Sequence, residues 1–248
     1  MAKKRFIVED LTLGRGGVIL SGSEAHHISR VLRLRAGDEV VLVNGLGQEF
    51  DGVIEAIDRA VVRVTIIRGG SSQTESPVDV TLIQALVKGP AMEEIIVKAV
   101  ELGVARILPC YTSRTIPVLT SEKAADKQAR WQRLAQAALK QCRRASLPDI
   151  LPPIPFAQVP ALSSQFDLAL LINESEKNRG LKEVLRESMA VRSVAALVGP
   201  EGGFSAEEVM VARTAGFTSV GLGRRILRAG TASLAILTIL QYDLGDLG

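Results

Sequence analysis

Glycine is concentrated where this chain could hold a ligand. Seven of its 22 glycines lie between residues 199 and 230: Gly199, Gly202, Gly203, Gly216, Gly221, Gly223 and Gly230. Two clusters directly follow apolar, strand-like stretches. They are Val198-Gly199-Pro200-Glu201-Gly202-Gly203 and Gly221-Leu222-Gly223-Arg224-Arg225-Ile226-Leu227-Arg228. In open parallel sheets, ligands bind at the carboxyl ends of strands. Glycine there lets the backbone approach a ligand and take positive φ. One such cluster could be only a tight strand-to-helix turn. Two from successive strands suggest a pocket for a flat, partly apolar molecule such as adenine. Phosphate fits badly, because Pro200 lacks an amide donor and Glu201 repels anions.

Other chemistries lack their residues. No GxxxxGK[ST], GxGxxG or GxSxG pattern occurs, which removes the P-loop, dinucleotide-binding and common hydrolase readings. The histidines are the neighbours His26 and His27, and the cysteines, Cys110 and Cys142, are far apart. A Ser/His or Cys/His dyad is therefore improbable, and no metal is expected.

Formal net charge is +3, but it is unevenly spread. Between residues 123 and 144, Lys123, Lys127, Arg130, Arg133, Lys140, Arg143 and Arg144 face one acid, Asp126. The run is either a solvated helix face or a phosphate-binding surface. No apolar h-region follows the charged start, and no apolar run approaches the ~18 residues that span a bilayer. A cytoplasmic protein is expected.

These residues need a frame, and two compositional regimes supply it. Residues 1–70 contain strand-type stretches at 39–44, 49–57 and 61–68, punctuated by turns at Gly37-Asp38 and Asn44-Gly45-Leu46-Gly47. Ser23 could cap a short helix carrying Ile28, Val31 and Leu32. This predicts a small β-barrel with one helix. The Gly/Ser-rich stretch 69–77 reads as a linker, with the domain boundary at 71–77. From residue 78 on, strands (78–87, 106–110, 167–172, 193–198, 219–222) alternate with helices. Pro90 and Gly103 bracket one helix, 121–142 is a long basic one, Ser205 and Glu208 form a capping box, and 231–242 is an apolar closing helix. Alternation of this kind predicts an α/β domain with a mostly parallel sheet over 78–248.

The combination of motifs resembles one family. GPEGGFS at 199–205 followed by LGRRILRAGTA at 222–232 is similar to the paired signature of RsmE-type methyltransferases of the SPOUT class. Lys88 through Lys98 with Glu101-Leu102-Gly103-Val104, Ser113-Arg114, Gln141-Cys142-Arg143-Arg144 with Pro148, and His27 with Arg30-Val31-Leu32-Arg33 resemble its other motifs. The chain departs at Gly230, where the family has glutamate, and at Lys140 and Arg143, where it has glutamate and glycine.

The resemblance implies a trefoil-knotted methyltransferase domain, a PUA-like N-terminal domain and a homodimer. It implies methyl transfer from S-adenosylmethionine to N3 of a uridine in 16S ribosomal RNA, with the assembled small subunit as the favoured form of the substrate. The donor is expected in the loops after Ile172, Val198 and Leu222. Contacts fall to Leu171, Ile172 and Glu174, then to Val198, Gly199, Glu201, Gly202 and Gly203, and finally to Leu222, Gly223, Ile226, Leu227, Thr231 and Ala232. A valine at Gly202 is expected to block it. RNA contacts are expected from His27, Arg30 and Arg33, and mainly from the basic helix through Lys127, Arg133, Gln141, Arg143 and Arg144. Arg228 and Arg114 are the candidates to stabilise charge on the uracil oxygens. N3 lies on the Watson–Crick edge, so the base must be unpaired or extruded. Two alternatives stay open: a non-catalytic RNA-binding assembly protein, and a knotted methyltransferase acting on ribose 2′-O.

Overall fold

The computed structural model describes residues 3–8, 17–58, 60–115, 120–188 and 190–248. Two compact units emerge: Met1–Glu75 with Leu139–Leu147, and Ser76–Ala138 with Pro148–Gly248.

The first unit contains β1 (Lys4–Ile7), β2 (Gly17–Leu20), α1 (Gly22–His26), β3 (Glu39–Val43), β4 (Gln48–Ile57) and β5 (Val62–Ser71). Among the described residues they form a sheet of order β1-β3-β4-β5-β2, antiparallel except for β1 beside β3. Alternating residues point inward: Val40 and Leu42, Phe50 and Ile54, Val62 and Val64 join Phe6, Leu20 and Ile28 in one core. Each such burial contributes about 1.5–3 kcal/mol.

Three details differ from the sequence expectation. The N-cap of α1 is Ser21, not Ser23, and it makes no side-chain cap bond. The helix then widens into one π-helical turn, His27–Val31. That extra residue per turn shifts the phase, so Ile28 is buried but Val31 is 60% exposed. Gly69, Gly70 and Ser71 are not linker but continue β5, opposite Phe50, Glu49 and Gln48. A side chain at Gly69 would collide with the Phe50 ring, which explains the glycine.

The last turn of the basic helix and the residue just beyond it, counted with this unit, carry two of the departures. Lys140 pairs with Glu24 at 2.8 Å, so a lysine in place of a family glutamate has its own carboxylate partner. Arg143 takes φ 68°, the left-handed conformation for which glycine is the low-energy residue. Arg143→Gly is expected to stabilise the protein by about 0.5–1 kcal/mol, read as a higher denaturation midpoint at unchanged slope. A lower midpoint would mean that the arginine side chain contributes more than its backbone costs.

The second unit contains β6 (Asp79–Ala85), α2 (Ala91–Glu101), β7 (Arg106–Tyr111), α3 (Ser121–Cys142), β8 (Asp149–Ile150), β9 (Ile154–Pro155), β10 (Leu168–Ile172), α4 (Leu181–Glu187), β11 (Ser193–Val198), α5 (Ala206–Thr214), β12 (Thr218–Val220) and α6 (Ala229–Asp243). The part of α3 from Leu139 on belongs to the first unit. Every strand pair is parallel, in the order β12-β10-β11-β6-β7-β8, with β9 also on β7. The continuous apolar runs of β10 and β11 are buried throughout, as a parallel sheet covered on both faces requires. In α3, Trp131, Ala135, Ala138 and Leu139 recur at helical spacing and are buried. In α2, Met92, Ile95, Ile96, Ala99 and Val100 do the same. The Ser205 hydroxyl accepts from Glu208 N while Glu208 accepts from Ser205 N, the expected capping box. The last strand ends at Val220, so Gly221 and Leu222 are released into a loop.

Candidate active site

Because the strands are parallel, their carboxyl ends share one edge of the sheet. Three loops leave that edge and enclose a cleft of about 570 Å³, counting its open mouth. The end of β10 and the loop after it supply Ile172, Asn173 and Glu174, and the end of β11 and the loop after it supply Val198, Gly199, Pro200, Glu201 and Gly203. Leu222, Gly223, Arg225, Ile226 and Leu227 close it, with Ala229 and Ala232 from the first turns of α6.

Glycine is required at two points of the third loop. A Cβ on Gly221 would lie 2.5 Å from the backbone oxygen of Glu176. Gly223 has φ 102° and nothing within 4 Å of the Cβ position, so any side chain there is strained and extends into open space.

Ile172, Val198, Leu222, Ile226 and Leu227 give the cleft apolar wall, and Glu174, Glu201, Asn173 and Arg225 give it polar wall. Glu201 is anchored, accepting from Lys88 N at 3.0 Å. The Glu174 carboxylate lies where a Cβ on Gly203 would be. Among the described residues no cation lies within ion-pair distance of either. A cleft with apolar wall on which to lay a ring and two carboxylates without an ion-pair partner suits a flat molecule carrying positive charge. S-adenosylmethionine, with an adenine ring and a sulfonium, fits these residues.

Arg114 sits at the edge of the second loop, its Nη1 donating to the Gly202 carbonyl at 2.6 Å. Glu208 holds the two segments together: one carboxylate oxygen accepts from Ser113 N at 2.7 Å and the other from Ser205 N at 2.8 Å. One buried acid thus fixes the arginine-bearing loop against the glycine loop. Nearby Cys110 is no nucleophile, because burial, helped by the charge of Glu208, pushes its thiol up to about 12. No group of potential metal ligands occurs among the described residues.

Eleven of the residues expected at the donor line this cleft: Ile172, Glu174, Val198, Gly199, Glu201, Gly203, Leu222, Gly223, Ile226, Leu227 and Ala232. Leu171 does not, since its side chain is buried in the core below. Gly202 does not either: a Cβ there would touch Arg114 at 3.4 Å, so a valine would press on the arginine and not on the ligand. Thr231 and Arg228 line the adjoining groove between α2 and α6, with Val87, Glu94 and Gly230. Asn173, Pro200, Arg225 and Ala229 were missed. Each neighbours an anticipated residue, and loop continuity was the available signal.

The blocking test therefore moves to Gly223. Gly223→Val is expected to lower donor affinity at least tenfold by calorimetry, since the strain and the occupied volume act together. Full affinity in a folded variant would move the site elsewhere.

The expected RNA residues divide by burial and pairing. Arg30 and Arg33 are exposed beside the π-helical turn, and His27 packs edge-on to Phe6 at 5.9 Å between ring centres. Among the described residues of this sheet, Lys3 is ion-paired with Glu39 and Asp51, Arg5 with Glu49, Arg63 with Asp58 and Arg68 with Asp51, whereas Lys4 is exposed. On α3, Lys127, Arg133 and Gln141 are exposed, as is Arg143 just beyond it, whereas Arg130 pairs with Glu93. Arg144 is the correction: its residue is only 5% exposed and its guanidinium grips Glu75 at 2.8 Å. A buried, paired arginine is not offered to phosphate.

Two family models match the chain. An RNA methyltransferase domain covers residues 74–241 and an RNA methyltransferase PUA domain covers residues 20–67. The chain is 34% identical over 94% of its length to the ribosomal RNA small subunit methyltransferase E of Synechocystis sp., covering 75% of that protein. It is 29% identical over 90% of its length to that of Bacillus subtilis, covering 89%. Among solved structures it resembles the ribosomal RNA small subunit methyltransferase E from Neisseria gonorrhoeae bound to S-adenosyl methionine. The TM-score is 0.91, at 30% identity and with both chains covered in full.

Proposed function

Because this chain belongs to the ribosomal RNA small subunit methyltransferase E family, we propose that it transfers a methyl group from S-adenosylmethionine to N3 of a uridine in 16S ribosomal RNA. The observation that supports this best is the cleft at the carboxyl edge of the parallel sheet, where apolar residues of three loops meet Glu174 and Glu201. The donor supplies an electrophilic methyl group on a sulfonium. The protein's part is to hold it, to admit an extruded base and to stabilise the charge that grows on the uracil as its N3 proton leaves.

Ile172, Val198, Leu222 and Leu227 give the adenine apolar contact, and Glu174 and Glu201 favour the cationic end. Arg114 is the better placed of the two candidate arginines. One of its donors is fixed on Gly202, which leaves the others for an oxygen of the base. Arg228 lines the neighbouring groove and is exposed. RNA is held by Arg30 and Arg33 of the PUA-like unit and by Lys127 and Arg133 of α3. The trefoil knot and a domain boundary within 71–77 belong to the same proposal.

A homodimer completes the reading. Ala235, Ile239 and Tyr242 recur at helical spacing on α6; Ile239 is 37% and Tyr242 67% exposed. With Leu234 and the groove beside α2 they make an apolar face suited to a second copy. Light scattering at micromolar concentration is expected to give twice the chain mass; a monomer would remove the dimer from the proposal. The activity itself is tested by incubating unmodified 16S ribosomal RNA with protein and labelled donor. Label in the RNA that depends on intact protein is expected, and RNA binding without transfer would favour a non-catalytic assembly role.

A further inference from the structure

Cations gather beside the cleft, which has Arg225 as its one lining cation among the described residues. Glu174 and Glu201 line its interior, whereas Lys177, Arg179 and Arg224 line a second depression that opens beside it. Glu174 and Gly223 belong to both walls, so the two spaces are neighbours. The depression is held in shape by backbone: Gly180 bridges to Gly221, and Gly221 N donates to Arg179 O at 3.1 Å. This sets the 176–180 loop against the 221–224 loop.

These cations are largely unspent. Among the described residues no carboxylate lies within 4.0 Å of Lys177, Arg224 or Arg225, and Arg179 reaches only Glu187, at 3.3 Å, with half of its side chain exposed. The remaining acid of the depression, Glu176, is turned to its own loop, where it accepts from Asn178 N at 3.1 Å. On the side of the cleft the loop of Arg224 presents Arg225 and Ile226, the latter 83% exposed.

An extruded base enters a site with a phosphate on each side of it. Those phosphates are repelled by the carboxylates inside the cleft and must lie outside it. The depression beside the cleft offers Lys177 and Arg224 without a carboxylate partner, and Arg179 half exposed. Resting on the reading of the chain as an RNA methyltransferase, we infer that Lys177, Arg179 and Arg224 form a subsite for the phosphodiester backbone flanking the acceptor base.

The test is the salt dependence of binding to an unmodified 16S ribosomal RNA transcript, with donor binding and methyl transfer measured alongside. Removing two single-strand phosphate contacts flattens the slope of log K against log salt by about 1.4. Lys177→Glu/Arg224→Glu is expected to show that change with donor affinity intact. Arg192→Glu, at the opposite edge of the sheet, is expected to leave the slope alone. Should the reversal disturb folding or donor binding, Lys177→Gln/Arg224→Gln decides, with the same loss expected. An unchanged slope in a folded double variant overturns the subsite, as does an equal loss per charge in Arg192→Glu. Wild-type protein that binds RNA with its full slope but transfers no methyl group would instead overturn the assigned activity.

Discussion

Replacing Arg144 by alanine is expected to destabilise the protein by about 3–5 kcal/mol, the loss usual when one partner of a buried ion pair is removed. Its Nε and Nη2 reach the same Glu75 oxygen at 3.1 and 2.8 Å, and the other oxygen accepts from Ala145 N and Ser146 N at 2.9 and 3.0 Å. Without the guanidinium, a carboxylate that is only 22% exposed stays among backbone donors with its charge uncompensated. The pair also sets a pH dependence. Burial pushes the Glu75 carboxyl up, but the Arg144 hydrogen bond and the N–H groups of Ser146 and Ala145 together outweigh it and hold it below the usual glutamate value. A depressed folded pKa means that this stabilisation is present above the unfolded value of about 4.3 and is lost as pH falls through the folded one. Wild-type protein should therefore lose stability on acidification below that value more steeply than Arg144→Ala. Equilibrium denaturation at pH 7 and at about pH 3 measures both effects. A loss under about 1 kcal/mol, accompanied by weaker RNA binding, would return Arg144 to the RNA surface.

Arg114→Ala is expected to lower the single-turnover methylation rate by about 10²–10³, the effect of removing one donor to a developing anion, or roughly 2.7–4 kcal/mol. Donor affinity should hardly change, because Arg114 lies on the outside of the Gly202 turn and not among the residues lining the cleft. Arg228→Ala is the comparison. From its place in the groove beside α2, its loss should spare the rate at saturating RNA and donor. Equal rates for wild type and Arg114→Ala would remove the arginine from the chemistry. A large drop in Arg228→Ala alone would reverse the two assignments. Glu208→Gln should fall between them, since an amide can accept only one of the two hydrogen bonds that tie Ser113 to Ser205.

What was legible in the sequence was local. The Ser205–Glu208 capping box needs only four residues, and the apolar runs of β10 and β11 need only themselves. The two glycine clusters marked the loops of the cleft because the backbone constraints at Gly221 and Gly223 are written into residue type. What was not legible depends on partners far along the chain. Arg144 reads as one more member of a basic run until Glu75, 69 residues earlier, is seen to hold it. Gly202 reads as a donor contact until Arg114, 88 residues earlier, is found beside it. Lys140 looks like added positive charge but is paired with Glu24, 116 residues away. Charge counts overstate a surface whenever pairing of this kind is out of view. The short strands β8 and β9 were hidden because Pro148, Pro152, Pro153 and Pro155 make their segment read as loop.

The central claim concerns one atom, and it is met most directly by mass spectrometry of nucleosides from unmodified 16S ribosomal RNA treated with this protein and S-adenosylmethionine. The expected product is 3-methyluridine, formed only with donor and reduced about 10²–10³-fold at early times by Arg114→Ala. A methyl group on ribose 2′-O, or RNA recovered without any methylated uridine, would contradict the account.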